Sequence, residues 1–365
     1  MDGYVFSYLH NLDEFENYVD FLVSSIRDKA DKILADRFRR ALMKSDFRRK
    51  RGRGIAEIYG YITASGVRVV SEAGIPIHTS VVSNPSIGIQ GNNATLYLRL
   101  ASIGSEFSRT FIASAQVSLE ALKGEIKAVA KPILYGLLPY ECVEDPRVDP
   151  VTYRDLYHVR AMYMPPYSCV LTFRTRLEYG KPKEIEAVHF MDSNGDVFLL
   201  RDYRDTFPLN KGFITVRPYL REYQLGGIFI GPRRGAEVSF SELRAVPELL
   251  PKGDERKTGG NTSLKLSSNE YLLFYHAVDK HGVYYTYVAL FDENAELLAL
   301  TRDPVIAPDP GVYSGRRPST VFVCGAIKHG NVIFVTAGRD DEIAIIYRIE
   351  EEKMYEKLLF LKNNR

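Results

Sequence analysis

Three short stretches hold the residues best suited to chemistry. The first, "VEDPRVDP" from Val143 to Pro150, sets three carboxylates and an arginine around two prolines. Proline fixes its own φ, lacks an N–H and biases the residue before it towards extended backbone, so Asp145 and Asp149 are expected on a stiff loop. Carboxyl groups held in that way are suited to proton transfer, although an acidic surface turn would read the same. The second, "KTGGNTSLKLSSNEYLLFYHAVDKHGVYYTY", places Lys257 before a glycine pair and, nineteen residues later, His276 inside an apolar strand followed by Asp279 and Tyr285. That histidine is either a ligand or a satisfied core group. In the third, "YRDTFPLNKGFITVRP", Arg204 and Arg217 flank a Phe-Pro turn, and lone arginines are ordinarily solvated ion-pair partners.

These stretches need a scaffold. From Asn11 to about Phe47 apolar residues recur at three- and four-residue intervals, and Asn11 with Glu14 fits a capping box, so the chain is expected to open with one or two helices. After Gly54 the texture changes to runs such as "ATLYLRLA", "SCVLTFRTRL", "VYYTYVALF" and "NVIFVTAG", separated by turn signals such as "SNGD" and "KHG". On the order of twenty antiparallel strands follow, too many for one sandwich and without the helices of βαβ units. Four-stranded blades around a funnel, about five of them, use that number with few free edges. The expected fold is therefore all-β: an N-terminal helical extension over 1–54 and a five-bladed β-propeller over 55–365.

Composition narrows the classes further. The chain has 365 residues, 45% hydrophobic and 26% charged, with no apolar run approaching a membrane span. The amino terminus is acidic early and does not read as a secretory signal, so the expected location is cytoplasmic. Cys142, Cys169 and Cys324 show neither CxxC spacing nor a neighbouring histidine pair, which points to buried thiols with no metal site and no disulfide framework. The segment Arg37 to Arg53 holds nine basic residues against one aspartate, so of the net charge of +2 the rest of the chain carries −6. The basic character is local.

Taken in order, the stretches resemble glycoside hydrolase family 130, the β-mannoside phosphorylases, which are five-bladed β-propellers. "SNPSIGIQGNNATLYLRL" supplies the family's Asn-Pro and, fifteen residues after Asn84, the strand-ending Arg99. "VEDPRV" matches its Glu-Asp-Pro-Arg, and Arg204, Phe207-Pro208 and Arg217-Pro218 follow as in the family. Lys257 and His276 match its Lys-x-Gly segment and Tyr-His-Gly strand, Tyr285 its phosphate-side tyrosine, and "AGRDD" places the sugar-binding aspartate at Asp340. The resemblance spans about Pro76 to Tyr347. It departs at Ala277 and Ser314, where the family has glycine and glutamate, and in lacking tryptophan; these departures fall on the side of the sugar acceptor.

What the resemblance implies is inverting phosphorolysis of β-1,4-linked mannosides, giving α-mannose 1-phosphate. Asp145 would be the general acid, acting through the mannose 3-hydroxyl, with Glu144 and Arg147 orienting it. Arg204, Arg217, Lys257, His276 and Tyr285 would bind phosphate, and Asn84, Arg99 and Asp340 the sugar. Inorganic phosphate is then a co-substrate, and no cofactor or metal is implied. The charge logic agrees: an inverting hydrolase needs a second carboxylate to deprotonate water, whereas phosphate is already anionic and needs a cationic wall.

Three other readings stand beside it. A β-mannoside hydrolase or related five-bladed furanosidase would take its second carboxylate from Asp149, Asp205, Asp279 or Asp340. A nucleic-acid binder would act through Arg37 to Arg53, with salt-sensitive binding. A sugar-binding propeller would lack catalysis altogether. Phe38, Leu42 and Phe47 favour instead a helix packed on the propeller or on a second subunit, with arginines turned outwards, and homo-oligomerisation through the helices is the expected assembly.

Overall fold

The computed structural model describes residues 5–6, 12–102, 109–136, 141–164, 167–220, 224–308 and 315–361. Among them the strands form five mainly antiparallel sheets, each ending on one inner strand. The inner strands are β1 (Thr79–Gln90), β2 (Glu141–Val148), β3 (Tyr203–Pro208), β4 (Glu255–Lys265) and β5 (Val321–His329). From each the chain runs outwards through antiparallel neighbours, as from β4 to Glu270–Asp279, Tyr284–Asp292 and Leu297–Thr301. Inner strands neighbour one another, β1 lying beside both β2 and β5, and β4 beside both β3 and β5. The result is a propeller-like ring.

The ring is closed by a segment remote in sequence. Glu57–Ile62 pairs antiparallel with Ile343–Glu350, so the sheet that begins at β5 takes its next strand from the start of the all-β region. Such closure ties the first and last sheets together by backbone hydrogen bonds and removes an edge.

All five inner strands break their ladder at a corresponding place: between Ser83 and Ser86, Glu144 and Arg147, Arg204 and Phe207, Gly260 and Thr262, and Val323 and Gly325. Two of the breaks contain prolines, Pro85 and Pro146, which have no N–H to give a ladder. Asn84, Asp145 and Asp205 adopt left-handed backbone there, with φ of 45°, 52° and 48°. Asn and Asp tolerate that region better than other non-glycine residues, at a cost of roughly 1–3 kcal/mol each. This corrects the expectation for "VEDPRVDP": the stretch is an inner edge strand with a bulge, not a loop, and Asp145 is left-handed where a pre-proline residue was expected to be extended. A bulge re-aims the side chain that it carries, and here five bulges aim at one another.

A short strand, Val5–Phe6, pairs with Lys181–Ala187, and two helices follow it, α1 (Leu12–Ser24) and α2 (Lys29–Leu42). The α2 face formed by Ala30, Leu34, Phe38 and Ala41 joins the same buried core as the strands around β3. The expected helical run to Phe47 stops at Leu42, and the basic segment then crosses the sheet of β4 as an ordered strap. Lys50 N donates to Arg302 O at 2.7 Å and Tyr287 Oη to Lys50 O at 2.8 Å. Arg49, expected to turn outwards, is fully buried on Glu255 at 2.5 Å and on the carbonyls of Glu248 and Leu250. Asn11, the expected cap, lies outside the described residues. No helix among them is long and apolar enough to cross a membrane.

Candidate functional site

The inner bulges bring two groups of side chains together. In the first, Asp145 Oδ1 accepts from Asn84 Nδ2 at 2.7 Å and from Arg99 Nη1 at 3.2 Å, while Arg99 Nη2 donates to Glu144 Oε1 at 2.7 Å. Burial alone would lower the pKa of Arg99, but Glu144, Asp145 and Asp341 raise it, so it stays a firm cation. Asn84 is held from behind by Gly338, where any Cβ would collide with the asparagine's side chain and come within 2.6 Å of its backbone nitrogen.

In the second group Asp205 occupies the centre, 1% exposed. Its Oδ1 accepts from Arg147 Nη2 at 2.9 Å and its Oδ2 from Arg217 Nε. Burial pushes its carboxyl up, but the guanidiniums of Arg217 and Arg147, with His276 and Lys257 behind them, hold it well below the usual carboxylate range. Arg147 spans both groups, since its Nη1 donates to the carbonyl of Asp145 at 3.1 Å and its Nε to that of Asn261 at 2.5 Å. Gly259 makes the close approach possible: a Cβ there would lie 2.5 Å from Asp205 Oδ2, 2.6 Å from His276 Cε1 and 2.8 Å from Arg217 Cδ.

His276 is fully buried, its Nδ1 2.9 Å from Asn261 Oδ1, and burial with Lys257, Arg217 and Arg147 lowers its pKa well below the usual range against the pull of Asp205. The ammonium of Lys257 lies 5.0 Å from the centre of the Tyr284 ring, and burial lowers its pKa. Cys324, on the β5 bulge, is within electrostatic reach of Arg147, Asp145 and Asp205; burial pushes its thiol well above the ordinary range, so it is a neutral wall.

Of the residues singled out from sequence, the structure brings together Asn84, Arg99, Glu144, Asp145, Arg147, Arg217, Lys257 and His276. Arg204 lies across the strand pair from Arg217, with its Nε 3.3 Å from Asp202 Oδ1. One expectation is corrected. Tyr285 is paired with Ala277, on the opposite face of the sheet from His276, beside Arg51 and Asp279; Tyr284 instead lies 5.3 Å from the His276 ring. Strand alternation is the reason. Asp340 is 4% exposed, accepts from Thr320 N at 3.3 Å and has its pKa raised by burial. Its neighbour Asp341 pairs with Arg317 at 3.4 Å and acts on Arg99 and Arg316, on the Asp145 side. Tyr313 and Ser314 lie outside the described residues. Asn261 and Tyr284 were not singled out for this site, and Asp205 entered only as a possible base of the hydrolase reading; the signal for its central place was its position after Arg204, matching Asn84 and Asp145 in their own strands.

The four carboxylates available as a second catalytic base are all engaged. Asp149 takes the amides of Val151 and Thr152 and Arg233, Asp279 the amides of His281 and Val283, and Asp205 and Asp340 the partners named above. The arrangement offers one half-shielded acid next to a wall of cations, suited to protonating a leaving group while an anion is held alongside. No group of three His, Cys, Asp or Glu side chains among the described residues has the geometry to hold a metal ion. A cavity of about 1160 Å³ lies elsewhere, between the sheets of β1 and β2, and none of the clustered residues lines it.

Comparison with known proteins adds to this geometry. A family model described as beta-1,4-mannooligosaccharide phosphorylase matches residues 240–358. The beta-1,2-mannobiose phosphorylase of Thermoanaerobacter sp. (strain X514) is 33% identical over 87 residues, 23% of this chain and 29% of that protein. The beta-1,2-mannobiose phosphorylase of Listeria innocua serovar 6a is 26% identical over 223 residues, 58% of this chain and 59% of that one. The chain thus spans less than two thirds of the length of either curated relative. The solved structure of the Listeria innocua enzyme with beta-1,2-mannobiose superposes with a TM-score of 0.58 at 17% identity, covering 77% of this chain and 92% of that one, a likeness of fold.

Proposed function

We propose, on the premise that this chain is a relative of glycoside hydrolase family 130, that it cleaves β-mannosides by inverting phosphorolysis to α-mannose 1-phosphate and a shortened acceptor. Asp145 protonates the leaving oxygen through the sugar's 3-hydroxyl. Asn84 and Arg99, with Asp340 and its neighbour Asp341, hold the mannose. Arg217, Lys257 and His276 hold phosphate, assisted by Tyr284 and by Arg204, which lies across the strand pair from Arg217. We read the five sheets as five blades, the protein as cytoplasmic, and α1 and α2 as its self-association surface.

One observation carries this reading: the described residues around the acid supply cations, and each of the four carboxylates considered as a second base is already engaged. Asp205, one of those four, has both oxygens committed to guanidiniums and a depressed proton affinity, so it is poorly fitted to take a proton from water. For linkage, the resemblance suggested β-1,4, whereas both curated relatives are named for β-1,2-mannobiose, and both disaccharides enter the test. Incubation of each with and without orthophosphate should show phosphate-dependent cleavage of at least one. Equal turnover without phosphate, releasing free mannose, would leave a hydrolase in its place.

A further inference from the structure

The inference concerns how the anion would be chosen, and it rests on the phosphorylase reading. Asn261, buried at the β4 bulge, donates its Nδ2 to the carbonyl of Val323 at 2.8 Å. A carbonyl only accepts, which orients the amide and leaves Oδ1 facing His276 Nδ1 at 2.9 Å. Oδ1 also only accepts, so Nδ1 carries the ring proton. His276 Nε2 is buried and has no hydrogen-bond partner among the described residues.

The groups acting on this ring come from every side. They are Asp205 on β3, Lys257 on β4, Arg147 on β2 and Arg217 on Phe213–Leu220, with the rings of Tyr284 and Phe322 each 5.3 Å away. Burial and the three cations resist a second proton on the ring, and Asp205 alone favours it. A buried acceptor therefore sits among donors, an odd fitting for a site that holds only a bare anion. An unmade hydrogen bond at a buried polar atom is costly, so an occupant bringing its own proton is favoured.

We propose that Asn261 and His276 make the site selective for a protonated oxyanion: Nε2 accepts the P–OH proton of hydrogenphosphate while Arg217 and Lys257 take its charged oxygens. Asn261 is the positioning residue, since its amide sets which nitrogen carries the lone pair. Sulfate matches hydrogenphosphate in size and charge but has no proton to give, so it leaves Nε2 unpaired and sets oxygen lone pairs against it. Arsenate, protonated like phosphate, should be accepted, and selenate should follow sulfate.

The test is competitive binding of the four anions to the intact protein by calorimetry at neutral pH, alongside phosphorolysis assays in which sulfate is titrated against phosphate. Phosphate and arsenate should bind at least about tenfold more tightly than sulfate and selenate. Asn261→Asp sets a carboxylate against Nδ1–H, draws a second proton onto the ring and turns Nε2 into a donor, so the phosphate-to-sulfate ratio should fall towards one. A merely structural role for Asn261 would weaken both anions and leave the ratio unchanged, which would overturn the assignment. If that variant does not fold, fluorophosphate, a dianion of similar size without the P–OH proton, should bind the wild type as weakly as sulfate, and binding as tight as that of phosphate counts against the assignment. Sulfate binding as tightly as phosphate to the wild type would overturn the selectivity while leaving phosphorolysis intact. Binding of neither anion, with turnover indifferent to phosphate, would remove both.

Discussion

Replacing Asp205 by asparagine takes a charge from a position where both carboxylate oxygens are committed. The side chains involved are nearly dry: Asp205 is 2% exposed, Arg147 1% and Arg217 7%. A surface pair would contribute at most about 1 kcal/mol, but removing one partner of a buried pair strands its cations, at about 3–5 kcal/mol. The amide also turns an N–H donor towards one of two guanidiniums that can only donate. Because the folded-state pKa of Asp205 is depressed, its contribution is fully present above the unfolded carboxylate value near pH ~4 and is lost as pH falls towards the folded value. Urea denaturation of Asp205→Asn should therefore show a loss of about 3–5 kcal/mol at neutral pH, with a gap to wild type that narrows below about pH 4. A variant within about 1 kcal/mol of wild type, with unchanged acid sensitivity, would refute the placing of Asp205 as the pillar of the cationic wall.

Three further outcomes follow from the same geometry. Asp145→Asn keeps an oxygen for Asn84 and Arg99 but has no proton to give, so kcat should fall by about 10²- to 10⁴-fold while the far-ultraviolet circular dichroism is unchanged. Tyr284→Phe should raise the KM for phosphate, whereas Tyr285→Phe, on the other face of the sheet, should leave it unchanged; the reverse pattern in steady-state kinetics would restore the original assignment of Tyr285. Arg49→Ala should lower Tm by stranding Glu255, at a cost of about 3–5 kcal/mol, because this arginine of the basic segment is a buried strap contact and not a surface charge.

Much of the site was legible because its residue types are demanding. Asn84-Pro85 and Asp145-Pro146 announce themselves as breaks in strands, and Arg217, Lys257 and His276 stand out against apolar or glycine neighbours. The misplacements share a cause, the direction of a side chain. Tyr284 and Tyr285 are both plausible in "VYYTY", and only the strand register, with Ala277 opposite Tyr285, decides between them. Asp340 and Asp341 are both left-handed, with φ of 56° and 53°, so the alternation that guides strand reading does not choose between them at that turn. Asp205 lacked a following proline and was masked by Arg204 before it. Arg49 sat in a run of like charges where nothing local distinguishes an inward arginine from its exposed neighbours, because the partner that draws it in, Glu255, lies 206 positions away.

The most direct test of the central claim is to identify the products formed from β-1,2- and β-1,4-mannobiose in orthophosphate by proton and phosphorus nuclear magnetic resonance. The account predicts α-mannose 1-phosphate and a free acceptor sugar, formed only when phosphate is present and abolished in Asp145→Asn. Free mannose released at the same rate in phosphate-free buffer would contradict it.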